Sequence, residues 1–370
     1  MPSLRERLDR ELGALSAQSR LREPTAARGL DFASNDYLGF ASHRALAAAV
    51  QDALARGVPV GAGGSRLLRG NHPEHEALEA EAAPFFGAER AVYFGSGFDA
   101  NLALFSTLPT RHGAVILDER VHASVKEGAR AGFARKLASR HNDPASFDAL
   151  ARRARAEGAR DLTFAVEGLY SMDGDAAPLR ELAEIARRHE ALLVVDEAHA
   201  TGVLGARGRG AAEELSKENL VTLHTCGKAL GASGALLCGP APLVRLLQST
   251  ARPFLYSTAP SPLMAAVVRR ALALLDEEPE RRDRLRRLCA LASELLPAKT
   301  GAPIVPVVLG DDARALEASR RLRDGGFDVR AVRPPTVPEG TARLRISINC
   351  ERTPEELRAL AAALREVLRA

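Results

Sequence analysis

Residues 220–234, L-V-T-L-H-T-C-G-K-A-L-G-A-S-G, decide how this chain is read. Val221, Thr222 and Leu223 make a β-branched and apolar run that reads as a buried strand, and Gly227, Gly231 and Gly234 break any regular element directly after it. The spacing therefore puts Lys228 on a tight turn at a strand end. Glycines leave its ammonium without bulky neighbours and let a flat ligand come close to the backbone. Desolvation there favours the neutral amine, which suits a lysine that forms an imine. Taken alone, the same lysine reads as a solvated loop residue, so the rest of the chain must decide.

Moving outward, short apolar strands alternate with helices. Helices are expected over 44–55, 74–86, 98–108, 122–131 and 178–189, and strands over 91–94, 114–117, 162–166 and 191–195. Strands at these intervals with helices between them imply an α/β fold with a doubly wound, mostly parallel sheet. After Gly239 long Arg/Leu/Ala helices fill 241–298. Short strands near 304–309, 327–332 and 343–348 follow, with a last helix from 353, which reads as a smaller α+β domain. The expected division is an N-terminal arm (1–40), a large domain (41–240) and a C-terminal domain (241–370), with part of the arm packing on the last. In the arm, Leu4, Leu8, Leu12 and Leu15 recur at helical spacing among charges, an amphipathic pattern that packs on a body or on a partner chain.

Composition bounds the function. The 370 residues are 46% hydrophobic and 26% charged, ordinary for a soluble globular chain. The net charge of +4 is spread among interleaved acids, as in Arg282, Asp283 and Arg284. With 12 Phe, 4 Tyr and no Trp, stacking platforms for single-stranded nucleic acid are scarce, and no nucleic-acid partner is expected. No apolar run approaches the ~18 residues of a membrane span. The start, M-P-S-L-R-E-R-L, lacks the apolar core of a targeting peptide. Four cysteines without a C-x-x-C pair point to a reduced, cytoplasmic protein.

Three motifs compete to define the chemistry. G-S-G-F-D-A at 95–100 lies between a strand and a helix, with Asp118 closing the next strand, so an NAD(P)-dependent oxidoreductase is one reading. Asp196–Glu197–Ala198–His199 spells a helicase box, but the phosphate loop that a nucleotide-driven motor needs is missing. His72 and His75 have helical spacing without a third ligand, so no metal is expected. Asp196 itself ends the run A-L-L-V-V, which brings its carboxylate out at the C-terminal edge of the sheet. An N-cap or a structural ion pair would explain it equally.

Asp196 and Lys228 end two successive strands, and one cofactor uses both groups. Pyridoxal phosphate takes a lysine for its imine and a carboxylate that keeps its ring nitrogen protonated. His122, Ser171, His199 and Thr225 stand at strand ends where they fit the same crevice.

The motifs S-N-D-Y-L-G (34–39), E-G-L-Y-S-M-D-G-D (167–175), V-D-E-A-H-A-T-G (195–202) and H-T-C-G-K-A-L-G (224–231) together resemble the α-oxoamine synthases. That resemblance runs from about Arg20 to the C-terminal helix and implies a fold type I pyridoxal phosphate transferase, which condenses an amino acid with an acyl thioester and releases carbon dioxide. R-P-P-T-V-P-E-G-T-A-R-L-R-I-S (333–347) and H-N-D-P (141–144) are most similar to the branch that joins L-alanine to a pimeloyl group on coenzyme A or acyl carrier protein. Sibling branches make 2-amino-3-ketobutyrate, 5-aminolevulinate or ketosphinganine. The resemblance implies that Lys228 carries the cofactor, Asp196 meets the ring nitrogen, His122 stacks on the ring and His199 meets the 3′-oxygen. It places Gly97, Phe98, Ser171 and Thr225 around the cofactor, and Thr258 at a phosphate in the neighbouring subunit of a homodimer with shared sites. On the substrate side it implies Arg20, Asn35, Thr336 and Arg345, the last as a fork for the amino acid carboxylate.

Overall fold

The computed structural model describes residues 2–108 and 110–369. In chain order the elements begin with α1 (Leu4–Ala17), β1 (Leu30–Asp31), α2 (Arg44–Ala55), α3 (Pro73–Phe85), β2 (Arg90–Phe94) and α4 (Gly97–Thr107). Next come β3 (Ala114–Asp118), α5 (Ala123–Ala131), β4 (Arg135–Ser139), α6 (Pro144–Ala156), β5 (Leu162–Glu167) and α7 (Leu179–Arg188). After β6 (Leu192–Asp196), β7 (Leu220–Thr225) and β8 (Ala235–Gly239) stand α8 (Ala241–Thr250), α9 (Arg252–Leu255), α10 (Pro262–Glu277) and α11 (Pro279–Leu295). The chain closes with β9 (Ile304–Gly310), α12 (Asp312–Asp324), β10 (Phe327–Asp328), β11 (Arg330–Val332), β12 (Ala342–Ser347) and α13 (Pro354–Arg369).

The chain divides into two compact units, one of residues 38–171 and 175–282, the other of 1–37, 172–174 and 283–370. The larger holds a seven-stranded sheet in the order β2-β8-β7-β6-β5-β3-β4. β3 to β7 pair in parallel, and β8 runs antiparallel to both of its neighbours. Alternation along β3 shows why Ala114 to Leu117 are all apolar. Val115 and Leu117 enter one core cluster with Phe94, Phe105 and Val125, while Ala114 and Ile116 enter another with Phe147, Phe164 and Ile185. Both faces are covered, so every residue of β3 and β5 is buried, and the polar residues Asp118 and Glu167 come only at the strand ends, with Thr163 inside β5. Each large aliphatic side chain buried there contributes roughly 1.5–3 kcal/mol.

The strand order reverses at β3 and β5, because the chain leaves β3 for β4 on one side and continues through β5, β6 and β7 on the other. The crevice outside the C-terminal ends of these strands is where sheets of this kind take ligands. α5 is held there by close packing. A Cβ on Gly128 would lie 2.8 Å from the Asn101 carbonyl oxygen, so a side chain at Gly128 would push α5 off α4.

The smaller unit has an antiparallel sheet, β11-β12-β9, and the short parallel pair β1-β10. Leu4, Leu8, Leu12 and Leu15 of α1 are all exposed, so the arm's apolar stripe buries nothing within a single chain.

Three expectations change. β4, α6 and β8 are additional elements: Arg135–Ser139 carries little apolar signal, and β8 lies directly after the glycine turn. The strand expected over 327–332 is two pieces in different sheets. The boundary falls at 283 rather than 241, because α10 packs on α2 and α3 and belongs with the large unit.

Candidate active site

The Lys228 turn is a hairpin connection between β7 and β8. Cys226 N donates to Gly234 O and Ala232 N to Cys226 O, both at 2.8 Å, and Gly231 N closes a tighter turn on Lys228 O. Two glycines there are required by geometry. Gly231 and Gly234 both have positive φ, and a Cβ would strike the Phe40–Ala41 backbone at the first and the Tyr93 ring at the second. The turn thereby leaves Lys228 half-buried, its Nζ 2.9 Å from His199 Nε2.

Asp196 ends β6 beside this hairpin, in register with Leu223. Its Oδ1 accepts from Ala198 N at 3.0 Å and its Oδ2 from Asn101 Nδ2 at 2.8 Å. Only 5% of the residue is exposed, yet among the described residues it forms no ion pair. Asn101 also donates to Ser124 Oγ (2.9 Å), which stands 2.8 Å from His122 Nδ1. One chain of polar groups therefore links the carboxylate of β6 to the cap of α5. His122 is exposed, but its Nδ1 edge is tied down. Desolvation on that side and the nearby Lys228 charge lower its pKa, against the opposing pull of Asp196.

Glu167 ends β5 opposite Asp196 in the sheet register. It is buried and accepts from Ser171 N at 3.2 Å, while its Oε1 has no partner among the described residues. Burial and the Asp196 charge raise its pKa to about 8, against the opposing influence of Lys228.

Thr225 ends β7, where its Oγ1 donates to Ala198 O at 3.3 Å. Across from it, Ser96 caps α4 and Gly97 opens the helix. A Cβ on Gly97 would fall 2.5 Å from Thr225 Cγ2, so only glycine fits this wall. Beside it Phe98 is 44% exposed. A helix N-terminus flanked by hydroxyls and cleared of side chains is suited to a phosphate. Thr258 is exposed and lines a small hollow of about 50 Å³ with Arg66, Gly95 and Asp99 of its own chain.

The remaining expected residues lie in the smaller unit. Arg345 is 7% exposed and donates to Asn35 Oδ1 (2.9 Å), Ser347 Oγ (2.8 Å) and Tyr37 OH (3.4 Å). Arg20 and Thr336 are not bonded to one another. Arg20 donates to Asp312 (2.9 Å) and Glu339 (2.5 Å), and it is Arg22 that reaches Thr336 Oγ1, at 3.3 Å.

The residues fit pyridoxal phosphate. A buried carboxylate without a cation suits a protonated ring nitrogen, and the Gly97–Thr225 wall suits a phosphate. The dinucleotide reading loses its context. β2 lies at the sheet edge with four strands between it and β3, and Asp118 is bonded to His141 and to Asn142 N rather than open to a ribose. Sequence reasoning missed Asn101 and Glu167. The signals were an amide on the otherwise apolar face of A-N-L-A-L-F and a carboxylate ending L-T-F-A-V-E.

Comparison with known proteins gives the family. The family model described as aminotransferase class I and II matches residues 27–364, and the chain belongs to that family. More specifically, it is 45% identical to an 8-amino-7-oxononanoate synthase of Anaeromyxobacter dehalogenans, over 92% of this chain and 86% of that protein. It is 39% identical to one from Alkalilimnicola ehrlichii, over 99% and 98%. Among solved structures, a serine palmitoyltransferase from S. paucimobilis with bound PLP-myriocin aldimine superposes with a TM-score of 0.90 at 28% identity, covering 100% of this chain and 99% of that one. An 8-amino-7-oxononanoate synthase from Francisella tularensis gives 0.78 at 28% identity, covering 92% and 98%. The fold is thus that of fold type I pyridoxal phosphate transferases, and the cofactor is pyridoxal 5′-phosphate.

Proposed function

We propose that this chain condenses L-alanine with a pimeloyl thioester, on coenzyme A or acyl carrier protein, to give 8-amino-7-oxononanoate, carbon dioxide and free thiol, a step of biotin synthesis. The observation that carries this reading is the buried Asp196 carboxylate, without a cation of its own, on the same sheet edge as Lys228. Identity of 39–46% to curated 8-amino-7-oxononanoate synthases over nearly the whole chain supports the branch.

When bound, pyridoxal 5′-phosphate supplies an electron sink for the bonds broken at the amino acid α-carbon. Asp196 would hold a proton at the ring nitrogen, and Asn101 fixes the orientation of its carboxylate through their 2.8 Å hydrogen bond. His199 steadies the Lys228 amine through their 2.9 Å contact, and that amine takes the α-proton of alanine as general base. His122 would lie against the cofactor ring, with its Nε2 edge available to donate a hydrogen bond to the substrate carbonyl. Arg345, braced by Asn35 and Ser347, receives the alanine carboxylate as a two-pronged donor. Ser171, Thr225 and the Gly97–Phe98 amides would hold the cofactor's oxygens, and Arg20 and Thr336 would meet the acyl substrate. Thr258 completes the phosphate site of a second copy, so the working unit is a homodimer. A reduced compartment such as the cytoplasm suits its four free, buried cysteines, and among the described residues no helix is long and apolar enough to cross a membrane.

The test is turnover of alanine and pimeloyl-CoA, with the product read by mass. Lys228→Ala should lower kcat by roughly 10⁴-fold or more and abolish the protein's visible absorption band. A variant still coloured and active would sink the lysine assignment, and a wild type that turns over glycine but not alanine would sink the branch.

A further inference from the structure

The smaller unit contains a cavity of about 620 Å³ whose walls are partly apolar (Leu316, Val332, Met172) and partly basic (Arg22, Arg333, beside Thr336). Four arginines line it, and they divide into two kinds. Arg323 and Arg330 are matched by Asp328, at 3.7 and 2.6 Å. Arg22 and Arg333 form no ion pair among the described residues. Arg22 donates to the carbonyls of Arg333 (3.2 Å) and Pro334 (3.1 Å) and to Thr336 Oγ1 (3.3 Å). Arg333 donates to Ser19 O, is only 8% exposed, and its Nε has no partner among the described residues.

Two guanidiniums side by side, one of them buried, are costly without an anion. Burial and the Arg22 charge push the Arg333 pKa below its usual value, with Asp312 pulling it back. Asp312 is already paired with Arg20 at 2.9 Å. Glu23, the one carboxylate on the lining, is exposed and pairs with neither. The cavity thus has an apolar wall for methylenes and an unneutralised basic wall beside it. Arg20, by contrast, has its charge met by Asp312 and Glu339.

We propose that Arg22 and Arg333 together receive an anionic end of the acyl substrate, either the carboxylate at the tail of the acyl chain or a phosphate of its carrier. This rests on the condensation reading above. Guanidinium forks suit both oxyanions, and the apolar wall favours the tail carboxylate.

The experiment compares cofactor-loaded wild type, Arg22→Gln and Arg333→Gln on three donors: pimeloyl-CoA, its terminal methyl ester, and pimeloyl N-acetylcysteamine, which has no phosphate. On pimeloyl-CoA each variant should lose roughly tenfold or more in kcat/KM, mostly through KM, with Arg333→Lys recovering part of it. If the tail carboxylate is bound, the gap between wild type and variants closes on the methyl ester and persists on N-acetylcysteamine. If a carrier phosphate is bound, the two patterns exchange. An equal loss on all three donors, or none, overturns the proposal. Arg22 is exposed, so its variant stays informative should Arg333→Gln fail to fold. If wild type turns over no pimeloyl donor, the reaction reading has failed, and calorimetric titration with pimelate and with inorganic phosphate decides the receptor alone. Binding of either that weakens at least roughly fivefold in Arg22→Gln keeps it, and unchanged binding of both overturns it.

Discussion

Asp118 and Asp196 make an instructive pair. Each ends a central parallel strand, each is buried, and each accepts a backbone N–H from two residues further on, Arg120 N at 2.8 Å and Ala198 N at 3.0 Å. Their remaining partners differ. Asp118 meets His141 Nδ1 at 2.9 Å, and the same imidazole reaches Asp175 through Nε2 at 2.7 Å. Among the described residues, Asp196 has the neutral amide of Asn101 and no cation. One carboxylate has its charge answered by an imidazole of the chain, and the other meets only neutral donors among the described residues, which is what the proposed cofactor contact requires. A buried carboxylate whose remaining donors are neutral is therefore the better marker of a site than burial or strand position alone.

The comparison can be broken most severely at Asp196. Asp196→Asn should lower kcat by roughly 10³-fold, because the ring nitrogen loses its counter-charge, while the thermal midpoint of the apo protein stays near wild type. A variant within tenfold of wild type would make Asp196 as structural as its counterpart.

At Asp118 the expectation reverses. Asp118→Asn should destabilise the protein by roughly 1–3 kcal/mol in urea unfolding, by removing a charged, buried hydrogen bond, and leave kcat within about threefold. Loss of activity without loss of stability would return Asp118 to the candidate site.

Asn101→Ala sharpens the contrast from a third direction. With its amide gone, Asp196 keeps its charge but loses its orientation, and kcat should fall roughly tenfold with little change in the KM for alanine.

The smallest effect is a pH dependence. Burial would lower the His141 pKa, but hydrogen bonds and charge from Asp118 and Asp175 outweigh it and raise the value to about 9. A group bound more tightly to its proton in the folded state contributes stability that is complete below the unfolded value of about 6.5 and is lost as pH rises through about 9. Wild type should therefore lose unfolding free energy between pH 6.5 and 9.5, and His141→Gln should lose less over the same interval. Parallel curves would show that His141 holds its proton no more tightly in the folded protein than in the unfolded chain.

Much of the architecture was legible because it is local. The periodicity over 44–55 and the apolar run over 162–166 match α2 and the greater part of β5. Lys228 and Asp196 were legible as a pair because each stands at the end of an apolar strand, and parallel strands deliver their ends to one edge. β4 was not, because Arg135–Ser139 is an edge strand, exposed over much of its length, whose pairing comes from β3 rather than from its own pattern. The boundary at 283 was equally hidden, since an arginine-rich helix reads the same whichever body its apolar side faces.

Sequence alone determined the strands, the glycine turn around Lys228 and the chemistry its neighbours suit, because these rest on side-chain period and on backbone freedom within a few residues. Tertiary structure alone decided which carboxylate is neutralised, which arginine is already paired and which amide holds Asp196. Those outcomes depend on charges brought together from distant parts of the chain, Asp118 with His141 and Asp175, Arg20 with Asp312 and Glu339, Asn101 with Asp196, and no local pattern records such meetings.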